Sequence, residues 1–176
     1  FKHGNGLDDQ EPANAGDFHL LPSGSQIVSN IYAGGAFTHL ISNKHNGVLT
    51  SPRFKIEADE ISVRVAGGNN ARVRLVVQNY PRAVGPIYRS YEPKGEPFKW
   101  NHWDTRYWKG DWAYIEIATS DDIPVEARAN GRSWFGITDV IGRAKDLPRP
   151  IDQEVSMLAV ASDASPTSLE QVATLY

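Results

Sequence analysis

Patterning of this chain predicts an all-β fold: a single antiparallel β-sandwich of jelly-roll type with a C-terminal helical stub. Three observations carry that expectation. Short apolar runs recur between turn signals from Phe18 to Ile141, the spacing of an all-β sandwich or barrel. Two runs, I-S-V-R-V and A-R-V-R-L-V-V, alternate apolar and polar residues with period two, as a strand with one buried face does. Four tryptophans fall within thirteen residues (Trp100, Trp103, Trp108, Trp112), and a fifth is Trp134. Each brings a large apolar surface and an indole N–H that needs a partner.

The 176 residues suffice for one domain with a real core. Residues 1–16 are polar and rich in Gly, Asn and Asp, the composition of an arm or linker. The sandwich is expected over 17–145. Candidate strands run Phe18 to Leu21, Ile27 to Tyr32, Ala36 to Ile41, Val48 to Thr50 and Phe54 to Ile56. Next come Ile61 to Val65 and Val73 to Val77, separated by G-G-N-N. Gly and Asn tolerate positive φ, so these two runs are expected to pair as a hairpin. Val63, Val65, Val73 and Leu75 would face inward, and Ser62, Arg64, Arg72 and Arg74 would face solvent.

Pro81 to Pro97 carries four of the eleven prolines and is expected to be a long loop. Tyr114 to Thr119, Pro124 to Ala129 and the run from Trp134 to Ile141 supply three more strands. After D-L-P-R-P, residues 146–176 form a linker and a helix in which Leu169, Val172 and Leu175 share one face behind a Ser or Thr cap.

Composition excludes several functions. Apolar residues are 40% and charged residues 22% of the chain, ordinary globular usage. A net charge of −3 offers no excess of Lys and Arg for nucleic acid or an anionic membrane. Cysteine is absent, which removes disulfides, thiolate metal sites and a thiol nucleophile. No run approaches the roughly 20 apolar residues of a membrane-spanning helix, so no membrane insertion is expected. The chain opens on Phe1 and is taken as a mature or excised piece of a longer protein.

The sequence holds no G-x-S-x-G, G-x-x-x-x-G-K-[ST], H-E-x-x-H or G-x-G-x-x-G motif. His39 and His45 stand six apart in a loop-like stretch, a weak metal pair. Asp121 and Asp122 sit in S-D-D-I between strands, where Asp stabilises turns. Asp17, at the start of the first strand, and Asp139, near the end of the last, could meet in a sandwich. Their carboxylates with nearby carbonyls would suit a structural calcium ion, and an ion pair or a capped loop suits them equally. Trp103, Trp108 and Trp112 are expected in the core. Trp100 and Trp134 stand open between core packing and service as a platform for a sugar ring.

The segments G-V-L-T-S-P-R-F-K-I, D-E-I-S-V-R-V-A-G-G-N-N, V-R-L-V-V, W-N-H-W-D-T-R-Y-W-K-G-D-W-A-Y-I-E-I and S-W-F-G-I-T-D-V-I are together similar to a galactose-binding-like β-sandwich. They resemble in particular the non-catalytic fructan-binding module of bacterial levanases. The stretches Asp17 to Pro22, Thr38 to Phe54, Val76 to Pro81 and Tyr107 to Asp111 resemble a β-sandwich inserted in large secreted planctomycete-type proteins that carry cytochrome-like domains. The levanase-type module closes on Gly-Trp-Gly-His, whereas Ser133, Trp134, Phe135 and Gly136 stand here, followed by Ile137. Fructose specificity is therefore not implied.

The resemblance implies a non-catalytic carbohydrate-binding module of a larger secreted, periplasmic or surface-displayed bacterial protein. Its partners would be a polysaccharide or oligosaccharide and the neighbouring domains of the parent chain. The candidate loops are Thr38 to Asn46, Gly67 to Asn70, Gln78 to Tyr80 and Asn130 to Trp134, in which Lys44, His45, Asn69, Asn70, Arg132 and Trp134 would bind the sugar. A docking spacer without a sugar ligand, and a glycan hydrolase with two facing carboxylates, are the alternatives.

Overall fold

The computed structural model describes residues 1–7, 13, 18–20, 28–31, 34–40, 44–80, 89–120 and 132–151. The expected strand Pro124 to Ala129, Asp17, Asp121, Asp122 and the C-terminal helix lie outside them. Twelve strands are described. They are β1 (Lys2–His3), β2 (Phe18–Leu20), β3 (Val28–Ile31), β4 (Ala36–Phe37), β5 (Val48–Thr50), β6 (Phe54–Lys55), β7 (Glu60–Gly68), β8 (Arg72–Val77), β9 (Arg89–Tyr91), β10 (Gly95–Asp104), β11 (Trp112–Ala118) and β12 (Trp134–Arg143). A 3-10 turn, Arg106–Trp108, joins β10 to β11.

All pairings among the described residues are antiparallel. One sheet has the order β1-β5-β11-β8-β9 with β6 also on β11, a second has β10-β7-β12-β4, and β2 pairs β3 in a small third sheet. The two larger sheets share one core. Ile61, Val63 and Val65 of β7, Trp103 of β10 and Phe135 of β12 meet Val73 and Leu75 of β8 and Ala113, Ile115 and Ile117 of β11. The chain is thus an antiparallel β-sandwich.

The expected hairpin takes a different form. Val63, Val65, Val73 and Leu75 are buried as their alternation requires, but β7 and β8 belong to different sheets and do not pair. β7 pairs β10 and β12, while β8 pairs β11 and β9. Gly67 to Asn70 is therefore an arch that carries the chain across the sandwich. Alternation reports which side chains face the core, and both strands face the same core from opposite sides; it does not report the hydrogen-bonding neighbour.

A second correction follows from β7's central place. Ser62 and Arg64, expected in solvent, are buried. Arg64 places its guanidinium 5.6 Å from the Phe98 ring centre and 3.9 Å from Asp139. On β8, Arg74 pairs with Glu116 of β11. The proline-rich stretch is also not wholly loop, since β9 and the start of β10 fall within it. The register of β10 shifts between Gly95 and Lys99, as it does where Pro interrupts a ladder.

The N-terminal arm is tied down at its beginning. Lys2–His3 pairs with β5, Gly6 donates its N–H to the Asn46 carbonyl at 2.8 Å, and Leu7 enters the core. At the other boundary, Arg149, past the expected limit at 145, bonds the Glu60 carboxylate.

A bulge between Ile137 and Asp139 resets β12. Strict alternation would send Asp139 inward with Phe135 and Ile137. The extra residue, Thr138, instead places Asp139 across from Arg64 and Val140 across from Val63. A bulge shifts the facing of every later side chain, and here it keeps a carboxylate out of the apolar core.

Candidate functional site at the loop end

Four segments distant in sequence converge at one end of the sandwich. Gly47 donates its N–H to Thr119 Oγ1 at 3.1 Å, Ser120 donates its N–H to Ser133 Oγ at 2.9 Å, and that hydroxyl donates to the Gly68 carbonyl at 3.3 Å. The arch adds a further tie, because the Asn69 side-chain amide donates to the Arg132 carbonyl at 2.6 Å. Asn69 and Asn70 both hold left-handed φ, 54° and 66°, a conformation Asn accepts better than most residues. Their side chains and that of Arg132 are exposed.

Trp134 begins β12 opposite Gly68. Its indole is half-buried and lies over that glycine, where a Cβ would stand 3.0 Å from Nε1. The other neighbour is His39, whose ring centre is 4.3 Å from the indole at a 50° tilt. Burial holds His39 below the ordinary imidazole pKa, with the Phe135 backbone opposing that shift, so it is a neutral ring at pH 7. Lys44 is exposed and His45 half-buried on the segment that Gly47 anchors.

Sequence-predicted residues thus divide. Asn69, Asn70, Arg132 and Trp134 are brought together, and Lys44 and His45 share their end of the molecule. Gln78 to Tyr80 are not with them: Gln78 donates its N–H to the Trp112 carbonyl and its side-chain amide to Asp111 Oδ1 at 3.0 Å, at the opposite end of β8 and β11. His39 belongs to the cluster through its contact with Trp134. Its place in T-H-L-I-S signalled only a loop histidine, because the stacking partner is 95 positions away.

Among the tryptophans, Trp103 and Trp108 are buried as expected. Trp112 is a correction, with 48% of its surface exposed. It opens β11 in the outward phase, beside Asp111 and beyond the buried Ala113. Trp100 is half-buried on the outward face of the second sheet, opposite Arg64.

Asp139 faces the Arg64 guanidinium at 3.9 Å, the ion-pair arrangement that suited it equally with calcium, and Asp17, its expected partner at a calcium site, lies outside the described residues. Among the described residues no three His, Asp or Glu side chains gather as a metal site.

Sequence reading also missed a buried polar row on the second sheet. Ser62 Oγ and His102 Nδ1 share a 2.7 Å hydrogen bond, and the same Nδ1 lies 3.5 Å from Glu60 Oε1. The residue types are those of a hydrolytic triad, but the geometry is not. A relay needs serine and carboxylate on opposite ring nitrogens, whereas both approach Nδ1 here and Ser62 is fully buried. Burial raises the Glu60 pKa, yet the hydrogen bonds from Arg149 and Arg143 outweigh it together and bring the carboxyl down to about 2.

No family model matches the chain, and no curated protein matches it. Among solved structures, it is similar to the carbohydrate-binding module TmCBM61 in complex with β-1,4-galactotriose, at 15% identity and a TM-score of 0.37 over 80% of this chain and 84% of that one. It is also similar to the carbohydrate-binding module CBM36 in complex with calcium and xylotriose, at 15% identity and a TM-score of 0.30 over 80% and 96% of the two chains. The resemblance to planctomycete-type cytochrome-containing proteins finds no support in these comparisons.

Proposed function

We propose that this domain is a non-catalytic carbohydrate-binding module of a larger secreted bacterial protein, holding a polysaccharide or its chain end at the loop end of the sandwich. One observation carries the reading: the Asn69 amide bonds the Arg132 carbonyl and the Trp134 indole lies over Gly68, which joins the arch that carries Asn69 and Asn70 to the segment on which Arg132 and Trp134 stand two residues apart. A sugar presents an apolar C–H face and a rim of hydroxyls. An indole plane meets the first, and Asn and Arg side chains meet the second. Charge-assisted hydrogen bonds contribute about 1.5 to 3 kcal/mol each, so micromolar to millimolar dissociation constants are expected.

Affinity electrophoresis against soluble polysaccharides tests this. Arg132→Ala and Asn70→Ala change exposed side chains and are expected to weaken retardation without altering the melt. Trp134→Ala is expected to abolish it with a cooperative melt retained. Unchanged retardation in all three variants would overturn the site.

A second reading, a docking spacer, is favoured by a cleft of about 280 Å³ lined by Phe54, Ile56, Ala58, Ile61, Val140 and Gly142. Val140 is half exposed there and Ile141 beside it is also exposed. Failure of the wild type to bind any glycan would leave this reading standing.

A further inference from the structure

We infer that the outward face of β11, at the end of the sandwich away from Trp134, is a second carbohydrate platform on which a sugar ring stacks against Trp112. The ligand class rests on the proposed function; the site does not. Ala113, Ile115 and Ile117 of β11 point into the core, so Trp112, Tyr114 and Glu116 share the opposite face. Trp112 and Tyr114 are two residues apart on one strand, about 7 Å. The Arg53 guanidinium lies over the Trp112 ring, 5.7 Å from its centre, so a cation–π contact occupies one face of the indole and the other face is the one a sugar would meet.

The turn beside this indole is tight and pinned. Gln78 and Asn79 stand at φ 52° and 62°, the central pair of a two-residue turn closed by the Tyr80 N–H on the Val77 carbonyl at 3.0 Å, as a primed turn requires. Two bonds from Gln78, to the Trp112 carbonyl and to the Asp111 carboxylate, fix it against the start of β11. Tyr80 leaves the turn 62% exposed.

Chemistry selects the ligand. An apolar protein surface seated on Trp112 would desolvate Arg53 and Asp111 without replacing their water. A nucleic acid phosphate would meet the Asp111 carboxylate in a chain of net charge −3. A sugar ring satisfies both requirements, with its C–H face on the indole face that Arg53 leaves uncovered and its hydroxyls toward the Asp111 carboxylate and the Gln78 amide. The Tyr114 phenol is a hydrogen-bond donor at neutral pH as phenols ordinarily are, and burial, with Glu116 adding to it, pushes its pKa further up.

The test follows the five indole N–H signals by NMR, assigned with single Trp→Phe variants, as soluble xylan, β-1,4-galactan and levan are added. The expected result is that at least one polymer shifts or broadens the Trp112 signal, and that Trp112→Ala weakens that polymer's binding at least tenfold with the melt unchanged. Shifts at Trp134 with none at Trp112 overturn this inference and leave the proposed function intact. Shifts at Trp112 alone support it and remove the loop-end site. A panel that moves neither signal overturns both.

Discussion

Glu60 is a nearly buried carboxylate with Arg143, Arg149 and His102 around it. Its folded pKa of about 2 lies below the ordinary 4.5, so its contribution to stability is complete above about pH 4.5 and fades as pH falls toward 2. Glu60→Gln is expected to cost about 2 to 3 kcal/mol at pH 7, because two guanidinium partners lose a charged acceptor. The variant's stability should also be flatter than the wild type's between pH 5 and 2. Urea titrations across that range check both statements; parallel curves would mean the network contributes nothing.

His39 titrates in the same sense for a different reason. Its pKa is depressed by burial, so protonation opposes folding, and stability is full above about pH 6.5 and declines as pH falls below it. His39→Phe keeps the ring against Trp134 and is expected to remove that decline, read from melting temperatures between pH 8 and 5.

Among elements, β7 separates the two accounts of this chain most sharply. If Ile61 to Val65 were half of an exposed hairpin, Arg64→Ala would be nearly neutral, as surface substitutions are within about 0.5 kcal/mol. In the sandwich Arg64 is 8% exposed on a strand flanked on both sides, and its truncation is expected to cost about 1 to 3 kcal/mol through lost packing and an unpaired Asp139. Gly136→Ala on β12 makes the neighbouring point. The added Cβ would stand 2.7 Å from Phe37 Cδ1 and 2.8 Å from Phe98 Cζ, so two rings must shift at an expected cost of about 1 to 3 kcal/mol.

Burial in the strands was legible wherever the period of two was clean, as in Val63, Val65, Val73 and Leu75. It failed at the flanks. The expected loop over Pro81 to Pro97 hid β9 and the start of β10, because proline and glycine outweigh strand composition in a local reading while edge positions and register shifts accommodate them.

On the scale of the whole molecule, the tryptophans divide by depth. Trp103→Ala is expected to cost about 3 to 5 kcal/mol, and Trp112→Ala less than about 1 kcal/mol, measured by chemical denaturation of the two variants side by side. Equal costs would place Trp112 in the core after all. The same division sets the two ends of the sandwich against each other: one gathers the polar loops around Trp134, the other presents Trp112 beside the tight turn at Gln78 and Asn79.

The sequence by itself determined the class of fold, the inward residues of the main strands and the turn chemistry of Gly67 to Asn70, because side-chain alternation and φ preference are local properties. It also named most of the loop-end residues, since polar loops between strands are recognisable one at a time. Tertiary structure alone decided that β7 and β8 sit in opposite sheets, that Arg64 and Glu60 are buried and Trp112 is not, that Asp139 meets Arg64, and that Gln78 to Tyr80 stand apart from Asn69 and Arg132. Each of these depends on which strand lies beside which. That choice is made by long-range packing between segments up to a hundred residues apart, and no local pattern encodes it.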